Sequence, residues 1–209
     1  MNVFILSTGR CGSATFIKAC KYINNYSSEH ESRVSLFGEE RLAYEECHIE
    51  SDNRLSWFLG RLDREFGDNA FYVHLTRDRE ATARSYAKRL DPKLLMNSYM
   101  HGIYMGIDDE QSPYDLALDM YDTINENIKV FLENKSNKMN MTLENIQEEY
   151  PVFWQRIGAQ GSLDSALKEW NIQHNATKID DYRPPHFMLR VINKLVRTVI
   201  KFPRFLRDV

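Results

Sequence analysis

The opening of the chain constrains it more than any other stretch. Val3-Phe4-Ile5-Leu6 is an apolar run of strand type that stops at Gly9, within Ser7-Thr8-Gly9-Arg10-Cys11-Gly12-Ser13-Ala14-Thr15. Beyond it, Phe16, Ile17, Ala19 and Cys20 resume apolar spacing of helical type. This predicts a strand over about residues 2–7, a tight glycine turn and a helix from about Ser13 to Ile23. A helix that starts directly after such a turn makes an anion site. Its first N–H groups have no intrahelical partner, and its dipole favours negative charge. Arg10 sits in the turn, where a guanidinium can grip phosphate or sulfate oxygens bidentately. The chain is thus expected to begin with a phosphate-binding loop.

The 209 residues fit one domain with a real core, and 43% hydrophobic content fits a globular protein. A net charge of −3 gives no case for nucleic-acid binding. Cys11, Cys20 and Cys47 are too few and too scattered for a disulfide framework, so a reduced, cytoplasmic setting is expected. No basic region precedes the short first apolar run, and neither a signal peptide nor a membrane span is expected.

Further along, Arg33 to Phe37 reads as a short second strand that ends at Gly38-Glu39-Glu40. Leu55, Phe58, Leu59, Leu62 and Phe66 recur at helical spacing. Ala70 to Leu75 reads as a buried strand, followed by a helix from near Arg79 to about Leu90. A long helix is predicted over Pro113–Asn134, a last strand over Met139–Ile146, and helical segments after it. Strands alternating with helices argue for an α/β, P-loop-like three-layer domain with a mainly parallel central sheet. In such sheets ligands bind beyond the carboxyl ends of the strands. Gly9–Thr15, Gly38–Glu40 and Thr76–Arg79 would share that edge.

The loop is not that of an ordinary nucleotide kinase. That loop requires G-x-x-x-x-G-K-[ST], whereas here Gly9 and Gly12 are three apart and Ser13 takes the place of the lysine. A second element is Arg77 at the end of the buried strand, with Ser85 about two turns into the next helix. Arg77 and Ser85 could hold one phosphate from two sides, or Arg77, Arg79 and Arg84 could simply pair with Asp78 and Glu80.

Together the two elements resemble the sulfotransferase family that uses 3′-phosphoadenosine 5′-phosphosulfate (PAPS). Arg10-Cys11-Gly12-Ser13 matches the family's [KR]-x-G-[ST] loop, and Arg77 and Ser85 match its Arg and Ser spaced by eight. The resemblance covers residues 2–90. It implies that Arg10, Cys11, Gly12, Ser13, Ala14 and Thr15 hold the 5′-phosphosulfate and that Arg77 and Ser85 hold the 3′-phosphate. Three positions depart from the pattern: Ala14 where a second hydroxyl is common, Arg10 where lysine is common, and Arg79 where proline commonly follows Arg-Asp.

Sulfuryl transfer to a hydroxyl or amine also needs a base. In several family members a carboxylate near the end of the second strand fills that place, which implies Glu39 first and Glu40 second. His48 and His74 are weaker alternatives, and His74, inside an apolar strand, reads as a core residue. Arg10 would neutralise charge on the departing phosphate. No metal is required, and no set of side chains at ligand spacing suggests one. The acceptor is unread: a glycan, a small molecule or a peptide, with Tyr99, His101 and Tyr104 placed to line its pocket.

The tail reads separately. From Arg183 onward seven Lys or Arg stand against one Asp, and Arg190, Lys194, Arg197, Lys201 and Arg204 form one stripe. Residues 183–209 are thus expected to form a basic amphipathic helix appended to a domain of residues 1–182. It is a candidate for peripheral contact with an anionic membrane, for attracting an anionic acceptor, or for docking on the core. The competing functions are a nucleotide-dependent small-molecule kinase and a non-catalytic relative that binds nucleotide or a partner.

Overall fold

The computed structural model describes residues 1–88, 95–104 and 111–172. The expected basic helix over 183–209, the 182/183 boundary and much of Leu90–Ser112 lie outside them. Five strands, β1 (Val3–Leu6), β2 (Ser27–His30), β3 (His48–Ser51), β4 (Phe71–Thr76) and β5 (Lys138–Thr142), form one sheet in the order β2-β3-β1-β4-β5. Every pairing in it is parallel. The α/β reading with a parallel central sheet therefore holds.

Helices cover both faces. On one, α1 (Ser13–Cys20), α6 (Ile146–Arg156) and α7 (Leu163–Glu169) bring Phe16, Tyr150, Phe153 and Ala166 against Val3, Ile5 and Val73. On the other, α2 (Leu59–Phe66), α3 (Arg79–Ala87) and α5 (Pro113–Leu132) bring Leu62, Ala83, Met120, Ile124 and Ile128 against Phe4, Leu6 and Tyr72. A strand covered on both faces buries every residue, which is why Val3–Leu6 shows no alternation. The 20-residue α5 starts at Ser112, whose hydroxyl accepts from the Asp115 N–H, with Pro113 at the first helical position. A four-residue helix, α4 (Leu95–Ser98), leads into a π-helical turn, Tyr99–Ile103.

The second strand is the main correction. Residues 33–37, predicted as a strand, form a turn and its exit, and β2 lies earlier, at Ser27–His30. Two contacts turn the chain away: Leu36 N–H donates to the Arg33 carbonyl at 3.1 Å, and Ser32 gives its N–H (2.9 Å) and hydroxyl (2.5 Å) to the Glu50 carboxylate. Val34 and Phe37 then have no face to bury, and Phe37 is 88% exposed.

In their place stand two polar strands that carry no apolar run. In β3, His48 bridges Ser27 Oγ (Nδ1, 2.8 Å) and Glu50 Oε2 (Nε2, 3.0 Å) and stacks on Tyr44 with ring centroids 5.3 Å apart. Burial of His48 and Glu50 is tolerated because both have hydrogen-bond partners. His74 is a core histidine, as its strand context predicts. Its Nε2 meets Asn125 Oδ1 at 2.7 Å, and burial lowers its pKa. No helix among the described residues is long and apolar enough to cross a membrane. Cys11, Cys20 and Cys47 are free thiols.

Candidate functional site

The carboxyl ends of all five strands face one edge, because every pairing is parallel. At its centre the chain leaves β1 through a loop held by its carbonyls. Ser56 Oγ donates to Ser7 O at 3.2 Å, while Asn53 Nδ2 (3.4 Å) and the Tyr86 hydroxyl both donate to Thr8 O. Gly9 and Gly12 adopt left-handed backbone with φ of 81° and 88°. A Cβ at Gly9 would come within 2.5 Å of Asn53 Nδ2 and Tyr86 Oη, so glycine is required there for space as well as for conformation. Arg10 is left-handed too, at φ 61°. A non-glycine residue held there costs on the order of 1–3 kcal/mol, and such strain concentrates at functional sites.

Gly12 is the N-cap of α1, and no side chain caps that end. The first-turn N–H groups of Ser13, Ala14 and Thr15 therefore open the helix with its positive pole toward the loop. Cys11 is not displayed. It is fully buried, its Sγ lies 3.1 Å from Gly9 O and 3.2 Å from Thr8 Oγ1, and burial pushes its thiol up to about 11. Cys11 fixes the turn, leaving Arg10, Ser13 and the backbone to face a ligand. Ser13 Oγ lies 3.2 Å from His30 Nε2 at the end of β2, Thr15 is buried and Ala14 half-buried.

The two motifs meet. Arg10 Nε donates to Ser85 Oγ at 2.9 Å, and Arg77 Nη1 donates to the Arg10 carbonyl at 3.3 Å. Residues 75 and 67 positions apart thus form one cluster of two guanidiniums, a hydroxyl and a helix N-terminus. β4 aims Arg77, and α3 turns Ser85 inward. Asp78 starts α3 by accepting from Ala81 N–H at 2.7 Å, and the Tyr121 hydroxyl holds the Arg77 carbonyl at 2.9 Å. Arg79 is drawn away into a bidentate pair with Asp122 on α5 (2.7 and 2.6 Å). Arg84 pairs with Glu80 at 3.1 Å. Of the three arginines in this stretch, Arg77 alone faces the loop.

Glu39 and Glu40 stand on a 3-10 helix, Gly38–Leu42, and are exposed. This helix does not end a strand. It is anchored through Arg41, whose guanidinium forms a buried ion pair with Asp52 just past β3, and through Arg33 Nη1 on Glu40 O at 2.8 Å. Tyr99 and Tyr104 both donate to the Asp119 carboxylate on α5, at 2.6 and 2.8 Å.

Sequence reading missed Glu31, Asn53 and Arg54, which follow the two polar strands. Glu31 directly follows β2, in left-handed backbone at φ 54°. Its Oε1 lies 2.9 Å from Arg54 Nη1. Arg54 Nη1 also donates to Asn53 Oδ1 at 3.4 Å, and Asn53 touches the loop. Only a correct placement of β2 and β3 would have drawn attention to them.

No family model and no curated protein matches this chain. Among solved structures it is similar to mouse sulfotransferase SULT7A1 complexed with PAP, at 10% identity and a TM-score of 0.49. The match covers 81% of this chain and 63% of that one, so this chain spans less than two thirds of that protein's length.

Proposed function

We propose that the protein is a sulfotransferase that moves a sulfuryl group from PAPS to an acceptor hydroxyl or amine. The observation that carries this reading is the meeting of Arg10, Arg77 and Ser85 at an uncapped helix N-terminus. The donor has two anionic groups on one ribose, and the site offers two cationic groupings side by side. Arg77 and Ser85 suit the 3′-phosphate. Arg10, Ser13 and the first-turn N–H groups suit the 5′-phosphosulfate. There the acceptor oxygen or nitrogen bonds to sulfur, the bond from sulfur to the 5′-phosphate oxygen breaks, and Arg10 neutralises the charge left on that phosphate.

The acceptor must also lose a proton. Glu39 and Glu40 are the carboxylates that the resemblance implies, but both are exposed on a 3-10 helix that does not end a strand. With β2 ending at His30, the carboxylate at the end of the second strand is Glu31. Its left-handed backbone and its place beside the loop, to which Arg54 and Asn53 link it, favour it as the base that receives the proton, with Glu39 and then Glu40 behind it.

The test of the donor site is calorimetric titration with 3′-phosphoadenosine 5′-phosphate (PAP), repeated with Arg77→Ala and with ATP–Mg²⁺. Micromolar binding of PAP is expected, with ATP much weaker. Arg77→Ala should lose about tenfold to a hundredfold, the worth of one charge-assisted contact at about 1.5–3 kcal/mol. No binding of PAP, or a preference for ATP–Mg²⁺, would overturn the reading in favour of a kinase. PAP binding without turnover across a broad acceptor panel would point to a non-catalytic relative.

A further inference from the structure

We infer that Arg54 is a switch between Glu31 and the donor: it neutralises Glu31 in the free protein and turns to the phosphosulfate when donor binds, uncovering the carboxylate. This rests on the donor reading above. The geometry places Arg54 between the two partners. On one side its Nη1 meets Glu31 Oε1 at 2.9 Å. On the other, Asn53 links it to the loop, accepting from Arg54 Nη1 at 3.4 Å and donating to Thr8 O at 3.4 Å. The Tyr86 hydroxyl, which also bonds Thr8 O, lies in the field of both Arg10 and Arg54. Arg54 is therefore a third guanidinium of the loop, on the side opposite Arg77, since the sheet order sets β3 and β4 on either flank of β1.

The pair is built to change partners. Both side chains are 32% exposed, so neither is locked in a dry interior, and an ion pair this open contributes little by itself. The backbones on either side are fixed instead. Arg54 N–H donates to Asp52 Oδ1 at 2.8 Å, and Glu31 N–H donates to Ser51 O at 3.1 Å. Only the side chains need to move. The sulfuryl oxygens of the donor, which PAP lacks, offer Arg54 a bidentate partner in place of a single half-exposed carboxylate. Once Arg54 leaves, Glu31 is a carboxylate beside the loop that is released from its ion pair. The consequence is ordered use of the site, donor first and acceptor second.

The test needs no acceptor. Dissociation constants for PAPS and for PAP, which lacks the sulfuryl group, are measured by calorimetry for wild type, Glu31→Gln, Arg54→Ala and the double variant. Arg54→Ala should weaken PAPS by about tenfold or more and change PAP by less than about twofold. Glu31→Gln removes the competitor for Arg54, so PAPS should tighten severalfold while PAP stays put, and the double variant should follow Arg54→Ala. If wild type binds both nucleotides and neither substitution alters their ratio, the switch is wrong while the donor site stands. If wild type binds neither, the donor reading fails and the switch falls with it. Should Arg54→Ala prove unfolded by its melting curve, Glu31→Gln decides alone: no tightening of PAPS overturns the proposal.

Discussion

Glu31→Gln is expected to lower sulfuryl transfer by about 10²–10⁴-fold, the usual contribution of a positioned general base. The substitution keeps shape and hydrogen-bonding reach but removes the ability to take a proton. Release of sulfate from PAPS in the absence of any acceptor, with water receiving the group, is the readout available before the acceptor is known. Glu39→Gln and Glu40→Gln are the matched controls. Both residues are exposed on a helix anchored by Arg41 rather than by themselves, so their variants should stay within about twofold of wild type. If instead Glu39→Gln collapses the rate and Glu31→Gln does not, the base lies on the 3-10 helix and Glu31 serves only to hold Arg54. Combined with donor affinity, the expected pattern is unusual: a variant that binds PAPS more tightly than wild type yet transfers the group far more slowly. Simple structural damage at Glu31 would weaken both.

Why Glu31 escaped a reading of the chain while Arg10 and Arg77 did not is a matter of how strands announce themselves. β1 and β4 are central, covered by helices on both faces, and every residue of Val3–Leu6 is buried. Such strands must be apolar throughout, so their ends, and hence the loop and Arg77, are legible. The 20-residue α5 is legible for the same kind of reason, with Leu116, Met120, Ile124 and Ile128 buried on one stripe. β2 is an edge strand in which Ser28 alone is buried, so it has no apolar face to show. β3 is buried and yet polar, since Glu50 and His48 are satisfied by Ser27 and Ser32 from a different segment. Partners of that kind depend on the folded pairing and leave no period along the chain. Arg33–Phe37 misleads in the opposite sense, having strand-like residues in a segment that Ser32 and Glu50 fold into a turn. The candidate site is half legible as a result: the β1 and β4 sides carry motifs, and the β2 and β3 sides carry only geometry.

The largest effect on stability is expected at Arg41→Met, about 3–5 kcal/mol, the cost of leaving a buried charge without its partner. Arg41 is 3% exposed and Asp52 is wholly buried, so this ion pair is among the driest features of the fold. Methionine keeps much of the volume and abolishes the charge, leaving Asp52 with only the Arg54 N–H at 2.8 Å. Burial already raises the Asp52 pKa, with the Arg54 N–H and the Arg41 charge partly offsetting it. The sign of the pH dependence follows. In the folded protein the carboxyl binds its proton more readily than in the unfolded chain, where its pKa is about 3.9. Ionising Asp52 therefore costs stability as pH rises from the unfolded toward the folded value, and the full cost is present above that window. Without Arg41 the folded value rises further and the window widens. The deficit of Arg41→Met, measured by denaturant unfolding, should thus be largest near neutrality and shrink in acid. Adding Asp52→Asn should recover most of it at neutral pH, because the amide keeps the acceptor for Arg54 N–H and carries no charge. Equal deficits at pH 7 and in acid, with no recovery from Asp52→Asn, would mean that Arg41 acts through packing against Phe58, 5.3 Å from its ring, and not through its charge. Loss of this pair should also reach the site. Asp52 caps the turn that carries Asn53 and Arg54, so a variant folded at low temperature should bind PAPS more weakly while PAP, which lacks the sulfuryl group, changes less.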